Sequence, residues 1–443
     1  MYFLGIGGIG MSALARYFKH LGMTVYGYDA VSTPFTRQLE AEGMYIHYVD
    51  DVAFIPENVS RVIYTPAVPQ SNAEFRYFLS KGMIPEKRAA VVGELSRDLF
   101  TIAIAGTHGK TSITAMVSQL LYTAGYPMVA FIGGVAKNFG SNLVADEHPQ
   151  YMIVEADEFD RSLLTLHPDV AVITSMDADH LDVYGDLESL RRTFFRFVRL
   201  LPASGLLVHH KSLSGIEKTG NNRWTYGLTP DAELSAGNIH LEGDRYCFDV
   251  LHHGKKLISL KMHVPGKHFA ENALAAVSVG LYLKISPTVI KKALENFTGV
   301  VRRFDYRLHS AKNIFIDDYA HHPEELRATI QAVRQLYPHR ELTVVFQPHL
   351  FSRTRDFASD FARALDKADR SILLDIYPAR EKEIPGVTSH LIADKMTIEK
   401  KYVMSKTELL AFLKKEKPAL LLTLGAGDIG LMAEEIEKIL KGS

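Results

Sequence analysis

Short apolar runs alternate with stretches of helical periodicity along most of this 443-residue chain. The runs, such as residues 101–105 and 342–346, have the length of buried strands, and the segments between them repeat apolar residues at helical spacing. Strands that alternate with helices are typical of parallel sheets joined by right-handed crossovers. The pattern therefore predicts an α/β protein.

The alternation divides into three predicted domains. Residues 1–97 form an N-terminal Rossmann-like unit, and residues 98–300 form a central unit with a parallel sheet, typical of P-loop ATPases. Residues 301–443 form a second Rossmann-like unit. Within the central segment, residues 224–264 are rich in β-formers, and helices are predicted at 272–283 and 287–296.

The strongest chemical signal follows the apolar run at 101–105. The sequence GTHGKTS, residues 106–112, is a glycine turn that leads into a helical pattern. Such a turn closes backbone N–H groups around phosphate oxygens, and the helix dipole adds positive potential. We expect Lys110 to reach the outer phosphates and the Thr111 hydroxyl to hold magnesium. The glycine spacing is shorter than in the common motif, but the context predicts triphosphate binding.

A second glycine turn lies near the N-terminus. Gly5, Gly7 and Gly10 follow a short strand and fit G-x-G-x-x-G, and Asp29 ends the next predicted strand. The motif predicts that a nucleotide diphosphate sits at this helix N-terminus, with Asp29 on a ribose hydroxyl. It does not identify the nucleotide, and close helix–strand packing remains an alternative reading.

Carboxylates and a histidine follow two central strands. Glu155, Asp157 and Glu158 end one apolar run, and His180 follows the next. Carboxyl ends of parallel strands share one edge of a sheet, so these groups are expected near the phosphate loop. Magnesium prefers hard oxygen ligands. Thr111, Glu155 and His180 are the predicted metal ligands, and a solvated acidic loop is the alternative.

The third segment also places polar residues after its strands. Residues 318–323 read DYAHHP, and residues 347–355 read QPHLFSRTR. Histidines and arginines gathered there are suited to hold a carboxylate bidentately or to steady a developing phosphoryl charge.

Composition narrows the class of protein. Lysine and arginine total 50 against 51 aspartate and glutamate, so nothing indicates electrostatic binding to nucleic acid. The single cysteine, Cys247, excludes an intrachain disulfide and suits a reducing compartment. No apolar run approaches a membrane span, and the N-terminus does not read as a signal peptide. We expect a cytoplasmic protein without membrane insertion, as a monomer or weak homodimer.

Seven motifs in order resemble the Mur ligases of peptidoglycan synthesis over nearly the whole chain. They are GIGGIGMS (5–12), GTHGKT (106–111), EADE (155–158), DHLD (179–182), RRFD (302–305), DDYAHHP (317–323) and FQPH (346–349). The resemblance implies an ATP- and magnesium-dependent ligase that phosphorylates a carboxylate and then forms an amide through the acyl phosphate. Within the family, the pattern favours UDP-N-acetylmuramate and L-alanine as substrates, and it implies roles in cell wall biogenesis, cell shape and cell division.

The resemblance also implies roles for individual residues. Gly7, Gly8, Ile9, Gly10 and Asp29 would bind the UDP moiety. Gly106, Thr107, His108, Gly109, Lys110, Thr111 and Ser112 would bind the ATP phosphates, with Asn272 beside the adenine and Arg303 and Asp318 at the phosphates and ribose. His180 would bind a second magnesium. Tyr319, His321, His349 and Arg353 would enclose the alanine. Lys110, Glu155, His180, His321 and Arg353 are the implied catalytic set.

One feature departs from the family. Several Mur ligases carry a carbamylated lysine after the metal histidine, and residues 190–196 here contain none. Three alternatives remain open at this point. They are a recycling ligase that adds a tripeptide to the same sugar nucleotide, an NAD-dependent dehydrogenase built on the first glycine turn, and a non-catalytic nucleotide-binding regulator.

Overall fold

The computed structural model describes residues 1–177, 184–216, 222–379 and 381–442. The chain divides into two compact units. The first comprises Met1–Ile239, Cys247–Lys261 and Glu271–Thr298, and the second comprises His240–Tyr246, Met262–Ala270 and Gly299–Ser443. Over the described ranges, no helix combines the length and the apolar character needed to cross a lipid bilayer.

The N-terminal sheet contains the first glycine turn. Its strands are β1 Tyr2–Leu4, β2 Tyr26–Tyr28, β3 Tyr45–His47, β4 Val62–Tyr64 and β5 Glu86–Lys87. Its helices are α1 Ile9–His20, α2 Pro34–Ala41, α3 Ala73–Ser80 and α4 Arg88–Asp98, with a 3₁₀ turn at Val52–Phe54. The order is β3-β2-β1-β4-β5, and all pairs are parallel. The turn after β1 therefore lies at the switch point of an open sheet, where such sheets bind ligands.

The central sheet contains the second glycine turn. Its strands are β6 Phe100–Ala105, β7 Met128–Ala136, β8 Ser141–Ala145, β9 Tyr151–Ala156, β10 Val170–Ile173, β11 Leu206–His210, β12 Arg223–Tyr226, β13 Leu234–Glu242, β14 Arg245–His252 and β15 Lys255–Met262. The helices of this part are α5 Lys110–Ala124, α6 Leu187–Val198, α7 Lys267–Tyr282 and α8 Pro287–Glu295, with a 3₁₀ turn at Ser162–Thr165. The order is β15-β14-β13-β12-β11-β10-β6-β9-β7-β8. Strand β6 pairs in parallel with both β9 and β10, so the phosphate loop lies beside the ends of these two neighbours.

The C-terminal sheet has six strands. They are β16 Asp305–His309, β17 Ile314–Asp318, β18 Leu342–Phe346, β19 Arg370–Leu373, β20 Lys401–Val403 and β21 Leu420–Leu424. Its helices are α9 Pro323–Leu336, α10 Phe351–Leu365, α11 His390–Ala393, α12 Lys406–Glu416 and α13 Ala433–Lys441, with a 3₁₀ turn at Asp428–Met432. The order is β16-β17-β21-β18-β19-β20, and only β16 runs antiparallel. Strands β17 and β18 flank β21, so their carboxyl ends share one edge of the sheet.

One hydrophobic core runs through the first unit. It joins side chains of the N-terminal sheet, such as Phe3 and Phe18, to Phe131, Val154 and Phe194 of the central part. The rings of Tyr17 and Phe131 meet edge to face at 5.6 Å. The N-terminal and central sheets therefore share this core, and a second cluster that includes Tyr2, Leu4 and Phe78 belongs to the N-terminal sheet alone.

The structure confirms the α/β class, with one sheet in each predicted domain. The boundaries at 97/98 and 300/301 stay predictions. The helical pattern after the phosphate loop predicts a start at Ser112, but helix α5 begins at Lys110, and α7 begins at Lys267 rather than at 272. Apolar periodicity detects where the buried face of a helix begins, whereas the first turn of these helices carries polar residues.

Candidate functional site

The turn between β6 and α5 has a backbone that only glycine adopts readily. Gly106 has φ +124° and Gly109 has φ +79°. A methyl group on Gly106 would lie 2.1 Å from Thr174 Oγ1, and one on Gly109 would lie 2.8 Å from Asn272 Oδ1. The turn is thus packed tightly against α7 and the residue that follows β10, so Asn272 lies beside the loop. The implied place of Asn272 beside the adenine stays a prediction.

Lys110 is held inside this turn. Its Nζ donates to the Gly106 carbonyl at 2.6 Å and to both carboxylate oxygens of Glu158 at 2.8 and 2.9 Å. The Glu158 side chain is fully buried. Burial is the largest single influence and lowers the pKa of Lys110, but the nearby carboxylates of Glu158, Asp157 and Glu155 together outweigh it and raise this pKa above its usual value. The ammonium group of Lys110 is therefore a positive charge held in a fixed position at the N-terminus of α5.

Thr111 and Glu155 adjoin each other at the same place. Thr111 Oγ1 donates to Glu155 Oε2 at 3.2 Å, and Gly133 N donates to Glu155 Oε1 at 2.6 Å. A hydroxyl and a carboxylate at this separation are hard oxygen donors of the kind that magnesium binds. The third predicted ligand, His180, lies outside the described residues.

The remaining loop residues are fixed by the segment after β10. Thr107 Oγ1 lies 2.8 Å from Ser175 Oγ, and the His108 backbone N–H donates to the same hydroxyl at 3.0 Å. His108 Nε2 is 3.4 Å from Asp177 Oδ2. Ser112 is buried in the first turn of α5. These contacts orient the loop from one side.

The first glycine turn is built around a carboxylate instead of a lysine. Gly7 N donates to Asp29 Oδ2 at 2.7 Å, and Val31 N lies 3.3 Å from Asp29 Oδ1. A methyl group on Gly7 would lie 2.8 Å from Asp29 Oδ2. Asp29 therefore shapes the backbone of the turn, and its contact with a ribose hydroxyl stays a prediction.

Helix α1 begins directly at this turn. Gly8 is its N-cap residue and Ile9 its first residue. A methyl group on Gly10 would lie 2.7 Å from Arg88 Nη1, so the guanidinium of Arg88 packs against the turn. Sequence reasoning did not single out Arg88, because it lies in another helix with no motif around it.

The second unit brings together residues from three places in its sequence. The Asp318 carboxylate accepts hydrogen bonds from the backbone N–H groups of Phe304 at 2.6 Å and Ala320 at 2.7 Å. Burial raises the pKa of Asp318 to about 6, although the positive charge of Arg303 acts against this rise. The guanidinium of Arg303 lies over the Tyr319 ring at 4.8 Å. Arg303, Asp318 and Tyr319 therefore form one group.

Two histidines, His321 and His349, adjoin the group of Arg303, Asp318 and Tyr319. His321 Nδ1 lies 3.0 Å from the Tyr319 carbonyl oxygen and 3.3 Å from Glu325 Oε2. The rings of His321 and His349 are 5.8 Å apart. His349 Nδ1 is 3.4 Å from Nη1 of Arg353, whose side chain is buried in the first turn of α10. A positively charged, histidine-lined cluster of this kind suits a small carboxylate-bearing amine.

The described candidate residues thus fall into groups around the two glycine turns of the first unit and one cluster of the second. Sequence reasoning did not single out Glu158 as the partner of Lys110, nor Ser175 as the residue that holds the loop. Both stand after strands that flank β6, and this placement was the available signal.

Comparison with known proteins adds three family matches. Residues 1–99 match the model described as the Mur ligase family, catalytic domain. Residues 104–280 match the Mur ligase middle domain, and residues 302–427 match the Mur ligase, glutamate ligase domain. Together the three models cover most of the chain in the order that the seven motifs predict.

Full-length relatives and solved structures agree with these matches. The UDP-N-acetylmuramate–L-alanine ligase of Flavobacterium johnsoniae is 44% identical over 99% of this chain and 97% of its own. That of Flavobacterium psychrophilum is 45% identical over 99% and 97%. The crystal structure of the UDP-N-acetylmuramate–alanine ligase of Thermotoga maritima superposes with a TM-score of 0.86 at 28% identity, over 100% of this chain and 99% of that one. A murein peptide ligase structure from Psychrobacter arcticus gives 0.72 at 22% identity over 100% and 98%, which concerns the fold alone.

Proposed function

This chain belongs to the Mur ligase family, and on that premise we propose that it joins L-alanine to the lactyl carboxylate of UDP-N-acetylmuramate at the expense of ATP. The observation that carries the proposal is the pair of relatives with this activity in their names, at 44 and 45% identity over 99% of the chain. The reaction belongs to peptidoglycan synthesis. A carboxylate is a poor electrophile, so ATP must first convert it into an acyl phosphate.

In the first step, a lactyl carboxylate oxygen attacks the γ-phosphorus, the bond from phosphorus to the β–γ bridging oxygen breaks, and ADP leaves. Lys110 supplies a fixed positive charge to the phosphate oxygens, and the N-terminus of α5 adds the positive end of its dipole. The hydrogen bonds from Lys110 to Glu158 hold the ammonium in place before the phosphates arrive. Asn272 is assigned to the adenine, and Arg303 and Asp318 to the phosphates and ribose.

The family implies magnesium, and the residues present suit it. Thr111 Oγ1 and the Glu155 carboxylate would hold the ion, since they are adjacent hard donors at the start of α5. A magnesium ion bound there neutralises negative charge on the phosphate oxygens. A second magnesium on His180 is part of the same proposal.

In the second step, the amine nitrogen of L-alanine attacks the acyl carbon. A tetrahedral intermediate forms, and its C–O bond to phosphate breaks to leave the amide. Arg353 is assigned to the alanine carboxylate, with Tyr319 and His349 beside it. When His321 Nδ1 donates to the Tyr319 carbonyl, Nε2 carries the lone pair that takes the proton from the amine.

The sugar nucleotide is assigned to the first glycine turn. Gly7, Gly8, Ile9 and Gly10 would hold the diphosphate at the N-terminus of α1, and Asp29 would meet the ribose. We also propose that the protein acts in the cytoplasm, where ATP is available, and as a monomer or weak homodimer. Light scattering on the purified protein tests the oligomeric state.

A ligation assay tests the proposed function. The purified chain is given ATP, magnesium and UDP-N-acetylmuramate, and ADP release is measured with L-alanine, glycine, L-serine or the murein tripeptide as amine. We expect turnover with L-alanine. Turnover with the tripeptide and none with L-alanine would instead identify the recycling ligase, and no turnover with any amine would contradict a ligase.

A further inference from the structure

Most of helix α1 is buried on every side. Each residue from Met11 to Phe18 is buried, including the polar residues Ser12 and Arg16. The cause is its position, because α1 contacts β7 and β8 of the central part as well as the core of its own sheet. Ser12 and Arg16 are one helical turn apart and therefore share a face.

One side chain of β8 contacts both polar residues of that face. Asn142 is fully buried. Its Nδ2 donates to the Ile9 carbonyl at 2.7 Å and to Ser12 Oγ at 3.0 Å, and its Oδ1 accepts from Arg16 Nη1. The guanidinium of Arg16 also donates through Nε and Nη2 to Glu42, at 2.7 Å each. The amide of Asn142 thus uses both donors and its acceptor on α1, and one contact is at Ile9, the first residue of the helix.

Strand β7, the hairpin partner of β8, contacts the phosphate site. Strand β8 pairs with β7, and Gly133 in β7 donates its N–H to Glu155. A methyl group on Gly133 would lie 2.5 Å from Glu155 Oε1, so this approach is close. Glu155 in turn accepts from Thr111 at the start of α5. A short path of hydrogen bonds and strand pairing therefore links the starts of α1 and α5.

We propose that Asn142 is a positioning residue that fixes the start of α1, and with it the sugar nucleotide, relative to the ATP phosphates. The inference rests on the proposed function, in which the diphosphate binds at α1 and the triphosphate at α5. Acyl phosphate formation requires the lactyl carboxylate to meet the γ-phosphorus in line, and small misplacements slow such steps strongly. Asn142 acts through α1 and touches no substrate.

A buried polar network of this kind is a costly way to gain stability alone. Apolar residues of similar volume would fill the same space without the desolvation of an arginine and an amide. Hydrogen bonds depend on distance and angle, so those from Asn142 restrict how far α1 can slide along its axis or rotate relative to β8. Sequence reasoning had no motif for Asn142, since its role follows from the packing of α1 against β8.

The test separates binding from chemistry in the full-length protein. The rate of acyl phosphate formation is measured in a single turnover with ATP and UDP-N-acetylmuramate but no L-alanine, with hydroxylamine present to trap the acyl group as a hydroxamate. Affinities for UDP-N-acetylmuramate and for a non-hydrolysable ATP analogue are measured by calorimetry. For Asn142→Ala we expect the rate to fall by at least about 10-fold, with both affinities within about 3-fold of wild type.

Two further variants keep the test decisive. Ser12→Ala removes one of the three contacts, so it should slow the same step by about 3-fold even if Asn142→Ala does not fold. Asn138→Ala is the matched control, because Asn138 lies in the same hairpin and its amide bonds Asn296 and Thr298 instead of α1. We expect wild-type rates for this control.

The possible outcomes separate this proposal from the proposed function. A wild-type rate for both Asn142→Ala and Ser12→Ala would overturn it, as would a loss of sugar-nucleotide affinity equal to the loss of rate. An equal slowing by Asn138→Ala would assign the effect to loosening of the hairpin. If the wild-type protein forms no ADP with UDP-N-acetylmuramate, the proposed function itself fails.

Discussion

The phosphate loop of the first unit and the histidine–arginine cluster of the second are constructed in opposite ways. The loop occupies residues 106–112 in one unbroken stretch. The ammonium group of its Lys110 forms an ion pair with the buried carboxylate of Glu158. The cluster draws Arg303, His321 and Arg353 from separate segments, and its contacts include a cation over a ring, a pair of rings and several hydrogen bonds. A contiguous motif carries its own geometry, whereas a dispersed cluster depends on the sheet that supports it.

The difference predicts where each site is vulnerable. In the loop, the charge of Lys110 serves phosphoryl transfer. Its removal should stop acyl phosphate formation and therefore also the amide formation that depends on it. In the cluster, Arg303 is assigned to ATP, but Arg353 is assigned to the incoming amine, so removal of Arg353 should spare acyl phosphate formation. The following variants test that division, beginning with the largest expected effect.

The loop depends most on Lys110. Lys110→Ala should reduce ATP-dependent ligation by at least about 1000-fold, because the ammonium is the positive charge that the glycine turn itself places at the phosphates. The variant also removes the positive charge beside the buried Glu158 carboxylate, which should cost about 3–5 kcal/mol in the free energy of unfolding. ADP release and urea unfolding measure the two effects.

A double variant separates these effects. Lys110→Ala/Glu158→Gln removes both charges of the pair, so stability should recover while activity stays lost. Near-normal ligation by either variant would show that the phosphate-loop assignment is wrong.

The cluster depends most on Arg353. Arg353→Ala should raise the KM for L-alanine by about 100-fold, since a bidentate arginine–carboxylate contact is lost. Acyl phosphate formation without L-alanine should stay within about 3-fold of wild type, because that step precedes amine binding. Arg353→Lys, which keeps the charge without the fork geometry, should give an intermediate KM. If Arg353→Ala slowed acyl phosphate formation as strongly as it slowed ligation, the assignment of Arg353 to the amine alone would be wrong.

The magnesium requirement of the reaction tests the role of Glu155 beside the phosphate loop. Glu155→Gln keeps the shape of the side chain but removes a negative ligand, so the magnesium concentration for half-maximal activity should rise by about 10-fold. The KM for L-alanine should not change. Magnesium titrations of ADP release at fixed ATP measure the shift, and an unchanged requirement would remove Glu155 from the metal site.

The smallest expected effect concerns Asp318. Burial raises its pKa from 3.8 to about 6, so between these pH values the folded state binds more protons than the unfolded state. Its contribution to the free energy of unfolding therefore falls as pH rises from 4 to 6, by at most about 3 kcal/mol. In Asp318→Asn this fall should be absent, and the variant should gain stability relative to wild type between pH 4 and 7. Urea unfolding at several pH values measures it, and parallel curves would contradict the shift.

Much of the fold followed from the sequence, since strand-length apolar runs and glycine turns mark where each β–α unit begins. The position of Lys110, Thr111 and Glu155 at one sheet edge followed as well. The pairing of Lys110 with Glu158 did not, because three carboxylates compete within residues 155–158 and only their side-chain directions decide between them. The burial of α1 by β7 and β8 also depends on packing between sheets, which periodicity in one helix does not encode.

Oxygen transfer tests the central claim most directly. UDP-N-acetylmuramate labelled with ¹⁸O in its lactyl carboxylate is converted with ATP and L-alanine, and the released phosphate is examined by mass spectrometry. If the carboxylate is activated as an acyl phosphate, one labelled oxygen appears in the phosphate for each amide formed. Unlabelled phosphate accompanied by amide formation would contradict the account.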